Sequence, residues 1–278
     1  SRPIFSRKHP QHLQLSCCSN RSPLAVAPPS PMPPSLAQFS ADLAHSPLSP
    51  ALFSLVQSRY AEPHRAYHTW AHVCSVFDHA ESLGLGRAGR LAAIFHDVVY
   101  WIPPAAAAPQ GTLGKEQGVL HGIASDGTVV EGADLRHEAL LSNEAASASM
   151  WRRVADVTGV AADETLARVV EEAIVATEGH AVRPGTVDPS FVASFLDADL
   201  ATLAADGAAY DEYARNIRQE YRHVSDEQYR VGRSTVMRSF LERDELYFTP
   251  QVAATWTQRA RANVARELAA LERAAEAW

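Results

Sequence analysis

Apolar positions spaced three and four residues apart run along most of the chain, the pattern of helices that bury one face. The first stripe is Leu52, Leu55 and Val56, after a start near Leu48. The stretch from Tyr60 to Leu83 puts Trp70, Val73, Cys74 and Phe77 on one face and predicts one long helix, ended by Gly84 and Gly86. Leu91, Ile94, Phe95, Val98 and Val99 mark the next, closed by Pro103-Pro104. Helix returns over Glu138 to Val157. Asp163 is placed to cap a helix whose stripe is Leu166, Val169, Val170, Ile174 and Thr177 and which stops at Gly179-His180. Pro189 suits the first turn of another, with Phe191, Val192, Phe195, Leu196, Asp199 and Leu203. Three more follow at about 208–222, 226–243 and 250–275. No strand alternation of useful length and no internal repeat is found, so the expected fold class is all-α.

Two stretches break the pattern. Residues 1–47 are rich in Pro and Ser, carry Arg2, Arg7, Lys8 and Arg21, and have no acid before Asp42. Such a composition buries too little to order a chain, so a disordered leader is expected there and the domain is expected over 48–278. Met32 is a reasonable translational start, and a basic, acid-poor leader is also the composition of an organelle transit segment, although its prolines oppose the usual amphipathic helix. Residues 103–137 form a long Ala- and Gly-rich insertion, expected as a lid or a disordered loop.

Composition narrows the function classes. The 278 residues are 46% hydrophobic and 21% charged, values typical of a soluble globular protein. The net charge of −7 argues against nucleic-acid binding. No apolar run reaches the roughly 20 residues needed to span a bilayer. Three cysteines make no disulfide framework, and a reducing, cytoplasmic setting is expected. Nothing indicates an oligomeric state.

The candidate chemistry starts at His96-Asp97, a polar pair inside the apolar run Ile94 to Tyr100. Burying both is unfavourable without a partner. Imidazole and carboxylate are ligands for divalent cations, while a hydrogen-bonded His-Asp pair without metal is the plainer reading. His72 lies 24 residues earlier, a spacing suited to two antiparallel helices joined by a short turn. Asp199 falls on an apolar stripe, at helical steps from Val192, Phe195 and Leu203, and needs a counter-charge there; a buried cap or an arginine pair would also serve. Asp197 does not fall on that stripe. His72, His96, Asp97 and Asp199 therefore form a candidate site of two nitrogens and two oxygens drawn from three helices.

In this order and all-α setting, these residues resemble the HD superfamily of metal-dependent phosphohydrolases, and more closely a predicted HD phosphohydrolase group. The matching blocks are Glu62-Pro63-His64-Arg65-Ala66-Tyr67-His68 with His72, Phe95-His96-Asp97-Val98-Val99-Tyr100, Asn143-Glu144 with Ser147-Ala148, Ala176-Thr177 with His180, Leu196-Asp197-Ala198-Asp199-Leu200, Ile217-Arg218-Gln219-Glu220-Tyr221, and Gly232-Arg233. They span roughly residues 50–250; the first 50 residues and the 103–137 insertion are departures. The resemblance implies one divalent transition metal (Mn, Fe, Co, Ni or Zn) on His72, His96, Asp97 and Asp199, with Glu144 and His180 as candidates for a second ion or for substrate. It implies hydrolysis of a nucleotide or another small phosphorylated metabolite by a metal-activated water, with Asp97 also taking its proton. His68 is a candidate general acid, substrate contact or orienting donor. Arg65 is the first-choice phosphate clamp and catalytic cation, with Arg218 and Arg233 as alternatives and structural salt bridges as the competing role for each. Two other activities fit the same fold: a di-iron oxygenase, which would need Glu144 as a sixth ligand, and a nucleotide-binding module without turnover.

Overall fold

The computed structural model describes residues 34–102, 122–124, 126–129 and 142–276. Helix boundaries follow local capping chemistry. The Ser35 hydroxyl accepts the Gln38 N–H at the start of α1 (Leu36–Asp42), and Pro50 sits in the first turn of α2 (Ser49–Tyr60). Then come α3 (Trp70–Ser82), α4 (Gly86–Phe95) and α5 (Asn143–Thr158), which Ser142 caps and Gly159 ends in the left-handed conformation at φ 79°. Asp163 caps α6 (Glu164–Ala176), as its position predicts, and Asp188 caps α7 (Pro189–Asp199). A 3-10 stretch over Leu200–Ala204 leads to α8 (Gly207–Glu220), α9 (Asp226–Glu242) and α10 (Pro250–Glu276). Among the described residues no strand forms, only an isolated bridge between Ile123 and Val129. The fold is all-α.

Two apolar cores result. Helices α1 to α7 share the first, around the buried Phe95, Trp151 and Phe195. The 200–204 stretch and α8 to α10 share the second, around Tyr210, Met237 and Tyr247. Close packing of α3 on α4 depends on Gly89. A Cβ there would meet the Cβ of Leu85 well inside contact distance and that of Ala80 at 3.3 Å.

Two expectations need correction, and a third element gains a contact. The helix predicted over Tyr60 to Leu83 is two elements, because residues 61–69 form turns around Pro63, which lacks an N–H and disfavours helix before it. The leader expected over 1–47 already holds α1, whose Phe39 is fully buried with Leu43 just beyond it; a seven-residue helix is too short for periodicity to reveal. Asp42 in this helix is 2% exposed and takes two hydrogen bonds from Arg90 of α4, at 2.7 and 2.8 Å. The insertion touches the main body, since Ile123 is fully buried in the first core. Residues 1–33, the rest of 103–137 and the expected helix start at Glu138 lie outside the described residues.

Candidate metal centre

The centre lies where α3, α4 and α7 converge. His72 is the third residue of α3; His96 and Asp97 follow the last turn of α4; Asp199 ends α7. The carbonyls left open at the end of α4 take a buried cation. Arg65 donates to the Asp97 oxygen at 2.7 Å and the Val98 oxygen at 3.0 Å, to the His68 oxygen at 3.1 Å and, through Nε, to Glu62 at 3.1 Å. Its guanidinium also lies over the Tyr60 and Tyr100 rings. Ser147 of α5 bonds both backbone groups of Val99 and holds the bend that follows the pair.

Four side chains meet at short range. His72 Nε2 and His96 Nε2 are 3.1 Å apart. Asp97 Oδ2 lies 3.0 Å from His96 Nε2 and 3.5 Å from His72 Nε2, and Asp199 Oδ1 lies 3.3 Å from His72 Nε2 and 3.5 Å from His96 Nε2. The His72, His96 and Asp97 ligand atoms all fall within 4.8 Å of one another. Ligands about 2.1 Å from a common ion, at angles of roughly 90–110°, sit about 3.0–3.4 Å apart, so the His72, His96 and Asp97 donors could hold a divalent cation. His96 Nδ1 lies 3.0 Å from the Ala93 carbonyl oxygen, which only accepts; Nδ1 therefore carries the proton of the neutral ring and Nε2 offers its lone pair to the cluster.

The electrostatics also require positive charge here. Burial opposes protonation of His72 and His96, but Asp97 and Asp199 outweigh it, raising His72 and lifting His96 well above the ordinary range. Burial likewise opposes ionisation of the two aspartates, yet both are held well below the ordinary carboxylate range, Asp97 by His96, His68 and His72 and Asp199 by His180, His72 and His96. The His72–His96–Asp97 group could hold a metal ion, and Asp199 Oδ1 lies beside both imidazoles.

A second tier surrounds this set. His180 Nε2 is 3.1 Å from Asp199 Oδ2. His180 adopts φ +46°, uncommon for a residue with a Cβ, and Arg243 holds it there by donating to the Gly179 and His180 carbonyls. Glu144, in the first turn of α5, lines the same cavity, and burial raises its carboxyl. His68 Nε2 is 3.9 Å from Asp97 Oδ2, while its Nδ1 donates to Glu220 Oε2 at 2.7 Å.

Sequence reasoning undervalued Glu220. This buried carboxylate accepts the successive N–H groups of Ala66, Tyr67 and His68 at 2.8, 2.8 and 2.9 Å, the His68 ring, and the Tyr100 hydroxyl at 2.9 Å. Burial alone would raise it; His68 and the backbone donors overcome that and bring it to about 2. One signal was legible: an acid in the last turn of a helix opposes the dipole and needs partners elsewhere. Asp197, expected off the buried stripe, is 0% exposed; it accepts the Phe248 and Thr249 N–H groups at 2.8 and 2.7 Å, just ahead of α10.

The arginine expectations are corrected. Every nitrogen of Arg65 is committed to protein oxygens and its side chain is 0% exposed, so it is a staple rather than a phosphate clamp. Arg218 caps the end of α8 through the Tyr221 and Val224 oxygens, pairs with Asp226 and lies over the ring of Tyr229, a residue of the cavity lining, so its donors are committed to protein groups. Arg233 lines the cavity but is held bidentately by Glu267 at 2.7 and 3.1 Å.

Among the described residues no helix is long and apolar enough to cross a membrane. Set against known proteins, the chain matches no family model, no curated protein and no solved structure.

Proposed function

We propose that this protein is a metal-dependent phosphohydrolase of the HD type, acting on a nucleotide or another small phosphorylated metabolite. The observation that carries the reading is the meeting of His72, His96 and Asp97 donor atoms at separations of 3.0 to 3.5 Å, with Asp199 Oδ1 3.3 and 3.5 Å from the two imidazoles, on a cavity of about 530 Å³. Mixed nitrogen and oxygen donors favour Mn, Fe, Co, Ni or Zn over Mg. When bound, such an ion supplies an acidified water and polarises a phosphoryl oxygen.

The protein's own groups do the rest. Asp97 would help hold the ion and take the proton from that water. His68 stands next to Asp97 with its Nδ1 proton on Glu220, which leaves the Nε2 lone pair to take up the proton that Asp97 receives from the water and hand it to the leaving oxygen. His180 steadies Asp199 and faces the same space.

The test is a panel of nucleotides and phosphomonoesters with Mn²⁺ or Co²⁺. Phosphate release that falls at least about a hundredfold in an Asp97→Ala variant supports the reading, by the scale on which even supporting residues of metal sites matter. Undiminished turnover in that variant sinks it. Glu144 and His180 on the cavity wall leave room for a second reading, a two-iron oxygenase; two irons per chain with O₂ consumption would establish that instead.

A further inference from the structure

The cavity before the metal centre is lined by two kinds of group. His68, His72, Asp97, Glu144, His180 and Asp199 are polar. α8, α9 and the turn between them add a wall of Tyr213, Ile217, Tyr221, Tyr229, Val236 and Phe240, which adjoins the polar groups where the Phe240 ring lies 6.1 Å from that of His180. The space of about 530 Å³ lies within the ~300–1,000 Å³ typical of sites for organic ligands. Val236 is 43% exposed on this wall, an apolar side chain open to whatever enters.

The charge on the lining is equally lopsided. Among the described residues Arg233 is the arginine of the lining, and Glu267 holds it by two hydrogen bonds while it stacks on Tyr213. Its charge is matched where it stands. Asp97, Glu144 and Asp199 all face the cavity. One divalent cation balances two of these carboxylates and leaves no surplus positive charge for a chain of phosphates, whose added charges would face acids.

We propose that the site takes a phosphate monoester of an apolar, ring-bearing alcohol, its phosphate at the metal centre and its ring against Tyr213, Tyr221, Tyr229 and Phe240, and discriminates against di- and triphosphates. This rests on the hydrolase reading for the phosphate end and on the aromatic wall for the rest. Aromatic side chains accept a planar ring by offset stacking or edge-to-face contact, and Tyr213, Tyr229 and Phe240 each have an arginine (Arg233, Arg218 and Arg243) over one face, which leaves the other face or the edge for the ligand.

Calorimetry on the full Mn²⁺-loaded chain with uncleavable phosphonates tests the wall apart from turnover. Phenylphosphonate is expected to bind at least tenfold more tightly than methylphosphonate. Tyr229→Ala and Val236→Ser are each expected to cut that preference at least threefold while leaving methylphosphonate affinity unchanged; Val236 stands on the surface, so its replacement spares the fold. In turnover, a ring-bearing monoester should exceed pyrophosphate in kcat/KM at least tenfold. Equal affinity for the two phosphonates, or faster turnover of pyrophosphate, overturns the proposal. Ring-dependent phosphonate binding without hydrolysis of any ester would keep it and discard the hydrolase reading.

Discussion

Glu220 sits in the last turn of α8, the wrong end of a helix for an acid, and gathers five donors from residues more than a hundred positions away. Its carboxyl titrates at about 2 against an ordinary 4.5. A depressed acid contributes stability that is fully present above the ordinary value and lost as pH falls through the folded one, here between 4.5 and about 2. At about 1.4 kcal/mol per unit, the contribution is on the order of 3 kcal/mol. Glu220→Gln should therefore be less stable than the parent in denaturant unfolding at pH 7, and the gap should close as pH is lowered toward 2. In the proposed reaction Glu220 is a positioning residue. The same variant should lower kcat about 10–100-fold with little change in KM and move the pH profile, because the His68 proton is no longer fixed.

At the scale of elements, the metal donors are placed by how helices end. Asp97 leaves α4 where the helix has run out of partners, and Arg65 from the 61–69 turn supplies them. Lysine cannot span these oxygens with one planar fork. Arg65→Lys should cost about 2–4 kcal/mol in thermal unfolding, given ~1.5–3 for each hydrogen bond to a charged group and partial replacement by the ammonium. A phosphate clamp would instead show as a raised KM with unchanged stability, and that result would refute the staple.

For the whole molecule, α3, α4 and α7 are joined at one point by groups that favour a cation. An ion that binds only the folded chain should stabilise it by about 2.7 kcal/mol at a hundred times its Kd. Mn²⁺ or Co²⁺ should raise the Tm of the parent, EDTA should reverse the rise, and an Asp199→Ala variant should show little of it. The first core also depends on α1, whose Phe39 packs on Phe95 beside the His96-Asp97 pair. A chain shortened to begin at residue 48 loses Phe39 and Leu43 from the first core and leaves Arg90 without Asp42. Burying two such side chains is worth about 3–6 kcal/mol, so the shortened chain should unfold at lower denaturant than one beginning at residue 34.

What the sequence determined by itself is what short-range physics encodes. Helical periodicity, the Asp163 cap and Pro189 at a first turn are local, and they predicted α6 and α7 and the all-α class. His96-Asp97 in an apolar run and Asp199 on an apolar stripe were legible because an ionisable group at a buried period needs a partner. Only the tertiary structure decided who the partners are. Glu220 reaches His68 across 152 positions, Arg233 meets Glu267 across 34, and Asp42 meets Arg90 across 48. No periodicity carries such distances, because a charged side chain reads alike in a pocket, in a cap or in a staple until the packed helices bring its counterpart within reach.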